Sequence, residues 1–241
     1  MENLKAVFDM KDISPKTQLH LQKVYGNLAL CTAICAAAMY VNATVVLTGF
    51  IWTVITLIGM GWCTFKISNR SEHESTRMGY LWALSFCMGY LAGPAIHHIA
   101  EFNPMILVQA VSYTALVFLS FTAIALFSKR RSYLFVGGII ASTMSCLFWY
   151  STLSWLFGYS KYGGHFGMVY MMVGLFVACL YVIYDTQLII ERAERGDKDV
   201  PTHTMTLFMD LFDLFIKIVQ LLLKLQEEQK KRENQKKNRR D

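Results

Sequence analysis

Two aspartates lie inside long apolar runs of a chain that keeps most of its charged residues out of such runs. Asp185 and Asp210 interrupt the last two of these runs. An ionisable group at membrane depth costs roughly 2.5–3.5 kcal/mol on insertion scales, so it is rarely kept without a function. Two carboxylates held close together cannot both ionise cheaply, and they exchange protons as one coupled unit. Such a pair could bind a cation when deprotonated and release it on protonation, so these aspartates are the predicted functional site.

A charged connection over residues 191–203 joins the two apolar runs. Its Gly196 and Pro201 predict the end of one helix and the start of the next. Asp185 then lies about 15 Å from the end of its helix, and Asp210 about 12 Å from the start of its own, at a rise of about 1.5 Å per residue. In an antiparallel hairpin the two carboxylates therefore have similar depth.

The length of the apolar runs predicts a membrane protein. Hydrophobic residues make up 54% of the 241 residues, and about 20 consecutive apolar residues suffice to cross a bilayer. The predicted segments are Val24–Val41, Val45–Phe65, Met78–Ala100, Met105–Phe127, Tyr133–Phe157, Phe166–Ile190 and Met205–Leu225. We predict an all-α, polytopic membrane helix bundle of six transmembrane helices plus a seventh C-terminal helix that is central or re-entrant.

Three regions follow from these segments. Residues 1–23 are a predicted cytosolic N-terminal segment, residues 24–225 the membrane domain, and residues 226–241 a basic disordered tail. No early apolar core resembles a signal peptide, so insertion is expected to use the first internal helix. The cationic tail could bind anionic lipid, whereas nucleic-acid binding is not expected of a polytopic membrane protein.

The basic residues predict the orientation of the chain. Residues 1–27 hold four of them, and the connections 66–77, 129–131 and 191–203 hold three each, while the intervening connections hold almost none. By the positive-inside rule the N-terminus and the basic connections are cytosolic. A seventh helix that crosses fully would place the basic tail on the far side, and a re-entrant or interfacial helix would keep it cytosolic. The sequence leaves both arrangements open.

Polar residues recur along the seventh segment at steps of three and four. This polar stripe comprises Thr206, Asp210, Asp213, Lys217, Gln220 and Lys224. Residues at this spacing share one face of a helix, which would face the interior of a bundle or the water at an interface. Asp213 precedes Lys217 by four residues, the favourable order for a local ion pair. Asp213 is therefore an accessory candidate with a structural role.

A second group of residues could hold a metal ion. His97, His98 and Glu101 are close together in the chain, and His165 follows in the next non-cytosolic connection. A zinc-dependent intramembrane hydrolase would use such ligands. Their spacing matches no zinc signature, so we expect no bound metal or cofactor and no enzymatic activity.

Small residues at every fourth position predict close helix packing. Ser85, Gly89 and Gly93 form such a stripe in the third segment, and Gly174 begins another in the sixth. In lipid, small side chains let helix backbones approach closely. We interpret these stripes as packing signals.

Several segments, in order, resemble a known family. They are Lys16–Tyr25, Gly93–Ile96, Lys129–Gly138, Tyr184–Glu191 and Leu207–Asp210. The chain resembles the Bax inhibitor family, the transmembrane Bax-inhibitor-motif proteins, over residues 16–225. The resemblance implies a membrane protein of the endoplasmic reticulum that suppresses Bax-induced cell death and passes calcium in a pH-sensitive way.

The resemblance also implies roles for individual residues. Bacterial relatives are seven-helix bundles with a central C-terminal helix and a paired-aspartate gate, which corresponds to Asp185 and Asp210 here. Their gate includes an arginine on the second helix, for which Arg77 is the accessory candidate among three basic residues in the connection 66–77.

Two functions therefore follow as expectations. The first is an anti-apoptotic pH-sensitive calcium leak channel or Ca²⁺/H⁺ exchanger, with the lipid bilayer, calcium ions and protons as partners and calcium as the transported ion. The alternative is a non-conducting interaction protein that binds apoptosis regulators of the Bcl-2 family or other membrane proteins.

Overall fold

Helices account for almost all of the chain that the structure describes. The computed structural model describes residues 13–44, 49–127, 136–157 and 164–238. Its helices are α1 (Pro15–Thr44), α2 (Phe50–Ser68), α3 (Glu74–Phe102), α4 (Pro104–Phe127), α5 (Val136–Leu156), α6 (Gly164–Glu194) and α7 (Val200–Lys237). The prediction of an all-α fold is confirmed. The predicted starts at Val45 and Tyr133 lie outside the described residues.

Five of the described helices are long and apolar enough to cross a membrane. These are α1, α2, α4, α5 and α6. The predicted segments Met78–Ala100 and Met205–Leu225 lie in α3 and α7, which are not among the five. The apolar run of α3 is interrupted by glycines, tyrosines and Pro94, and that of α7 by its polar stripe.

Large apolar side chains point away from the protein on these helices. Phe50 is 85% exposed and Ile58 68% exposed on α2, and Leu116 and Leu119 are each 65% exposed on α4. An apolar surface of this extent is unusual for a protein in water and is expected where lipid surrounds the helices.

The chain divides into two compact units. Unit one comprises residues 1–104 and 185–209, and unit two comprises residues 105–184 and 210–241. Helix α6 passes from unit two into unit one at Asp185, and helix α7 passes from unit one into unit two at Asp210.

Within unit one, α1 packs closely against α3 through the small-residue stripe. A Cβ atom at Gly89 would overlap the backbone carbonyl oxygen of Cys35, and one at Gly93 would lie 2.6 Å from Cβ of Asn42. Ser85 is also fully buried. The packing role predicted for this stripe is therefore confirmed.

Within unit two, glycines admit larger side chains from neighbouring helices. A Cβ atom at Gly137 would lie 2.8 Å from the ring of Tyr184, and one at Gly174 would lie 3.5 Å from Cε of Lys217. The rings of Tyr150 and Tyr170 contact each other with centroids 5.3 Å apart.

The last helix is longer than the sequence predicts. Helix α7 continues to Lys237, although composition predicts a disordered tail from residue 226. Lysine, glutamate and glutamine are good helix formers, and Glu227 and Glu228 precede Lys231 and Arg232 by four residues, a spacing that supports helix. The extension is exposed over most of its length.

Candidate functional site

The two predicted site aspartates lie on the helices that the sequence indicates. Asp185 is on α6 and Asp210 is on α7, and both side chains are half-buried. Each is preceded or followed by buried residues, such as Thr186 beside Asp185 and Phe208 before Asp210. That the two carboxylates pair stays a prediction from the sequence.

The end of α6 and the start of α7 have the predicted capping residues. Gly196 has φ 98°, the left-handed backbone that glycine adopts most readily at a helix end. The N–H of Asp197 donates to the carbonyl of Arg192 at 2.9 Å and that of Gly196 to Ala193 at 3.1 Å. These bonds satisfy carbonyl groups that the end of α6 leaves open.

The polar stripe of α7 contains the predicted ion pair and borders a cavity. The ammonium of Lys217 contacts both carboxylate oxygens of Asp213. The predicted ion pair between these two residues is therefore confirmed. Within unit two, Lys217 and Gln220 line a cavity of about 260 Å³. The rest of the lining is mainly apolar and comprises Met144, Leu147, Phe148, Ser151, Tyr170, Met171 and Gly174.

Arg77 is buried and binds the connection between α6 and α7. Its Nε donates to the carbonyl of Ile67 at 2.7 Å, and its Nη2 donates to Oδ2 of Asp199 at 2.7 Å and to Oγ1 of Thr202 at 2.9 Å. The side chains of Arg77 and Asp199 are each 6% exposed. The described bonds of Arg77 thus fasten the start of α3 to the start of α7.

Arg70 adds a more exposed ion pair to the same connection. Its Nη2 donates to Oδ2 of Asp197 at 2.8 Å, and its Nε lies 3.4 Å from Oδ2 of Asp199. Two arginines from the α2–α3 region therefore bind two aspartates that lie between α6 and α7. We call these four residues the ionic anchor.

The aspartates of the ionic anchor stay ionised at neutral pH. Burial by itself raises the pKa of Asp199, but hydrogen bonds from Arg77 and Thr202 outweigh burial and hold that pKa below its usual range. The hydrogen bond from Arg70 likewise lowers the pKa of Asp197. The anchor is therefore not a pH-sensitive element between pH 6 and 7.

A buried histidine pair lies beside the ionic anchor, and the sequence reasoning missed it. Nε2 of His20 and Nδ1 of His203 are 2.8 Å apart. The rings meet edge to face, with centroids 5.1 Å apart and planes at 80°. The side chains are 4% and 1% exposed. The only signal in the sequence is that His203 continues the polar stripe three residues before Thr206.

The environment of this pair keeps it uncharged. Burial, followed by the neighbouring His20, lowers the pKa of His203 to about 4. Two adjacent imidazoles that both carried a proton would repel each other in a poorly solvated site. One imidazole nitrogen therefore donates to the other in the neutral pair.

The predicted metal ligands do not form a cluster in the part of the chain that the structure describes. His97 Nε2 lies 3.3 Å from Oε1 of Glu101, and both side chains are at least half exposed. The side chain of His165 lies outside the described residues. Among the described residues no group of three or more histidine, cysteine, aspartate or glutamate side chains could hold a metal ion.

Apolar helices of membrane-spanning length, with apolar outward faces and charged connections, define a multi-pass helical membrane protein. Comparison with known proteins narrows this class. Residues 17–227 match the family model described as "Inhibitor of apoptosis-promoting Bax1". The chain belongs to this Bax inhibitor family. The names of the family and of its members refer to inhibition of apoptosis and do not name an enzymatic activity.

Individual relatives match over nearly the whole chain. The chain is 39% identical over 240 residues to Bax inhibitor 1 of Rattus norvegicus, covering 96% of each chain. It is 38% identical over 238 residues to Bax inhibitor 1 of Homo sapiens, again covering 96% of each. The plant protein of the same name from Arabidopsis thaliana is 34% identical over 217 residues, covering 90% of this chain and 85% of the relative.

Proposed function

We propose that this protein suppresses cell death as a pH-sensitive calcium leak channel or Ca²⁺/H⁺ exchanger in the membrane of the endoplasmic reticulum. The observation that carries the proposal is the presence of Asp185 and Asp210 at similar predicted depth in two consecutive helices. Membership of an apoptosis-inhibiting family supports the cellular role.

The chemistry of carboxylates supports calcium as the transported ion. Carboxylate oxygens suit hard cations, and a tight calcium site uses six to eight oxygen ligands. Two aspartates supply too few oxygens for tight binding, which favours passage of the ion over storage. Protonation of the pair would remove its negative charge and change the packing of α7.

The charge distribution supports the proposed orientation. The N-terminus and the connections that hold the ionic anchor are cytosolic in this proposal, because the basic residues concentrate there. The aspartates would then take up protons from the cytosol when the cytosol becomes acidic.

Calcium flux in liposomes that contain the purified chain tests the proposal. We expect the parent to pass calcium, with a flux that changes between pH 7 and pH 6. Asp185→Asn combined with Asp210→Asn should abolish the pH response, because the amides cannot titrate. The matched control is Asp213→Asn, which makes the same change on α7 in a residue already paired with Lys217. A parental pH response in the double variant would contradict the proposed gate.

The second candidate is a non-conducting protein that acts by binding other membrane proteins or apoptosis regulators of the Bcl-2 family. The exposed, charged extension of α7 favours it, because this part of the helix is available for contact. Deletion of residues 226–241 should then abolish protection from cell death without altering calcium flux. Protection that survives the deletion would count against this candidate.

A further inference from the structure

The histidine pair has one nitrogen whose hydrogen bonding is incomplete. Nδ1 of His203 faces His20, whereas Nε2 of His203 is buried with no hydrogen-bond partner among the residues that the structure describes. A buried polar atom without a partner costs about 1–3 kcal/mol. A fully apolar contact between α1 and α7 would avoid that cost, so the imidazole at this position calls for a functional explanation.

His203 is also placed on the face of α7 that contains Asp210. Thr206 follows His203 by three residues and Asp210 follows by seven, which is about two helical turns or 10 Å along the axis. Residues three, four and seven apart share one side of a helix. Chains of histidine and carboxylate side chains form proton relays in membrane pumps and transporters.

We propose that the His20–His203 pair is the proton-entry site for Asp210, and that it sets how fast the aspartates respond to a change in pH. This inference rests on the proposed function, because it assigns a kinetic role at the same site. It gives His20 and His203 the role of proton carriers, separate from the binding of calcium.

Charged groups around the pair come from several elements. His20 interacts electrostatically with Lys23 on its own helix, with Glu74 at the start of α3, and with Asp197 and Lys198 in the α6–α7 connection. His203 interacts electrostatically with Asp197, Asp199 and Arg192. The nearby aspartates are engaged by arginines in the ionic anchor. Asp197 and Asp199 favour a proton on His203, whereas Arg192 opposes one, and Lys198 and Lys23 oppose one on His20.

Because the histidine pair is neutral, it is suited to passing a proton on and not to retaining one. Because the pKa of His203 is about 4, a proton that arrives at pH 6 or 7 is passed on and not retained.

The transfer conserves protons and involves no electrons. A proton binds Nδ1 of His20 as the proton on Nε2 of His20 moves to Nδ1 of His203. The proton on Nε2 of His203 then leaves through water to the Asp210 carboxylate. Each imidazole ends neutral in its other tautomer, and transfer in the reverse direction restores the starting state.

A pH jump distinguishes this kinetic role from a structural one. Proteoliposomes containing the full chain and a calcium dye are moved from pH 7 to pH 6 in a stopped-flow device at low buffer concentration. His203→Gln and His20→Gln should slow the change in calcium flux by at least about tenfold, with the same final flux as the parent. The matched control is His73→Gln, an exposed histidine at the start of α3, which should respond at the parental rate.

Chemical rescue is a measurement that would give no effect if His203 had only a structural role. Millimolar imidazole should restore the fast response of His203→Ala, since the free base can carry protons in place of the missing ring. A parental response rate in His203→Gln would overturn the relay. So would a changed final flux without rescue, which would indicate a structural contact. A parent chain that passes no calcium would reject the proposed function together with the relay. Asp210→Asn should lose the pH response altogether, whereas the histidine variants should only slow it.

Discussion

At the scale of single residues, the end of unit one that is proposed to be cytosolic combines charged side chains with neutral polar ones. The ionic anchor contains charges that arginine partners keep ionised. The histidine pair is neutral and buried directly beside it. The two sets of groups lie at the same connection, but the anchor is charged at neutral pH whereas the histidine pair is neutral.

Replacement of Arg77 tests how strongly the buried part of the anchor stabilises the protein. Arg77→Met leaves the buried carboxylate of Asp199 without its guanidinium, and we expect a loss of about 3 kcal/mol in the free energy of unfolding. Thermal unfolding in detergent measures this change. The control is Arg70→Met, whose side chain is 58% exposed, and whose loss should be below about 1 kcal/mol. Equal losses in the two variants would contradict this difference in burial.

The histidine pair predicts a pH-dependent stability. His203 is protonated near pH 4 in the folded protein and near its ordinary pKa of about 6.5 when unfolded. Between these values the unfolded chain binds more protons, so stability falls as the pH drops from 6.5 to 4. The fall should be about 3 kcal/mol, since one pKa unit corresponds to about 1.4 kcal/mol.

A variant that cannot titrate at this position separates this contribution from others. His203→Phe should flatten that part of the profile in thermal unfolding measured from pH 7 to pH 4. His73→Phe should retain the parental slope. An unchanged slope in His203→Phe would show that other groups cause the acid sensitivity.

At the scale of elements, close contact between α1 and α3 depends on residues without side chains. Gly89 lies against backbone atoms of Cys35, which cannot rotate away as a flexible side chain can. The same helix contains Gly79, at which a Cβ atom would meet nothing within 4 Å. One helix therefore supplies both a crowded and an open glycine.

Alanine at these two glycines tests the packing. Gly89→Ala should destabilise the protein by about 1–3 kcal/mol, because the helices must separate to admit the new methyl group. Gly79→Ala should leave stability unchanged or raise it by up to about 1 kcal/mol, since alanine favours helix. Thermal unfolding of both variants under one condition gives the comparison. A neutral Gly89→Ala would mean that α1 moves away from α3 at little cost.

At the scale of the whole molecule, the length of α7 bears on topology. Its 38 residues span about 57 Å at about 1.5 Å per residue, well beyond the roughly 30 Å of a hydrocarbon core. Part of α7 must therefore lie outside the hydrocarbon, whether it crosses or returns. The basic residues at its C-terminal end determine which side is favourable.

Labelling of single cysteines measures this topology. Ser71→Cys lies in the α2–α3 connection and should react with a membrane-impermeant maleimide from the cytosolic side of microsomes. Asn238→Cys should react from that same side if α7 is re-entrant, and only after permeabilisation if α7 crosses. The chain with its native cysteines alone gives the background. Protection of Ser71→Cys from the cytosolic side would contradict the predicted orientation.

The sequence by itself determined the features that depend on neighbours in the chain. The end of α6 at Gly196 and the ion pair of Asp213 with Lys217 follow from spacings of a few residues, and most of the helices follow from the length of the apolar runs. Such spacings fix which groups share a helix face or a turn, so a periodic pattern suffices to predict them.

Only the tertiary structure decided the contacts between distant parts of the chain. His20 and His203 are 183 residues apart, and Arg77 and Asp199 are 122 residues apart. No local period links such residues, because their contact depends on how whole helices pack. The helix also continues beyond residue 225, where the sequence predicts a disordered tail. Composition indicates that these residues are charged and solvated, but it does not indicate where a helix that began earlier in the chain will end.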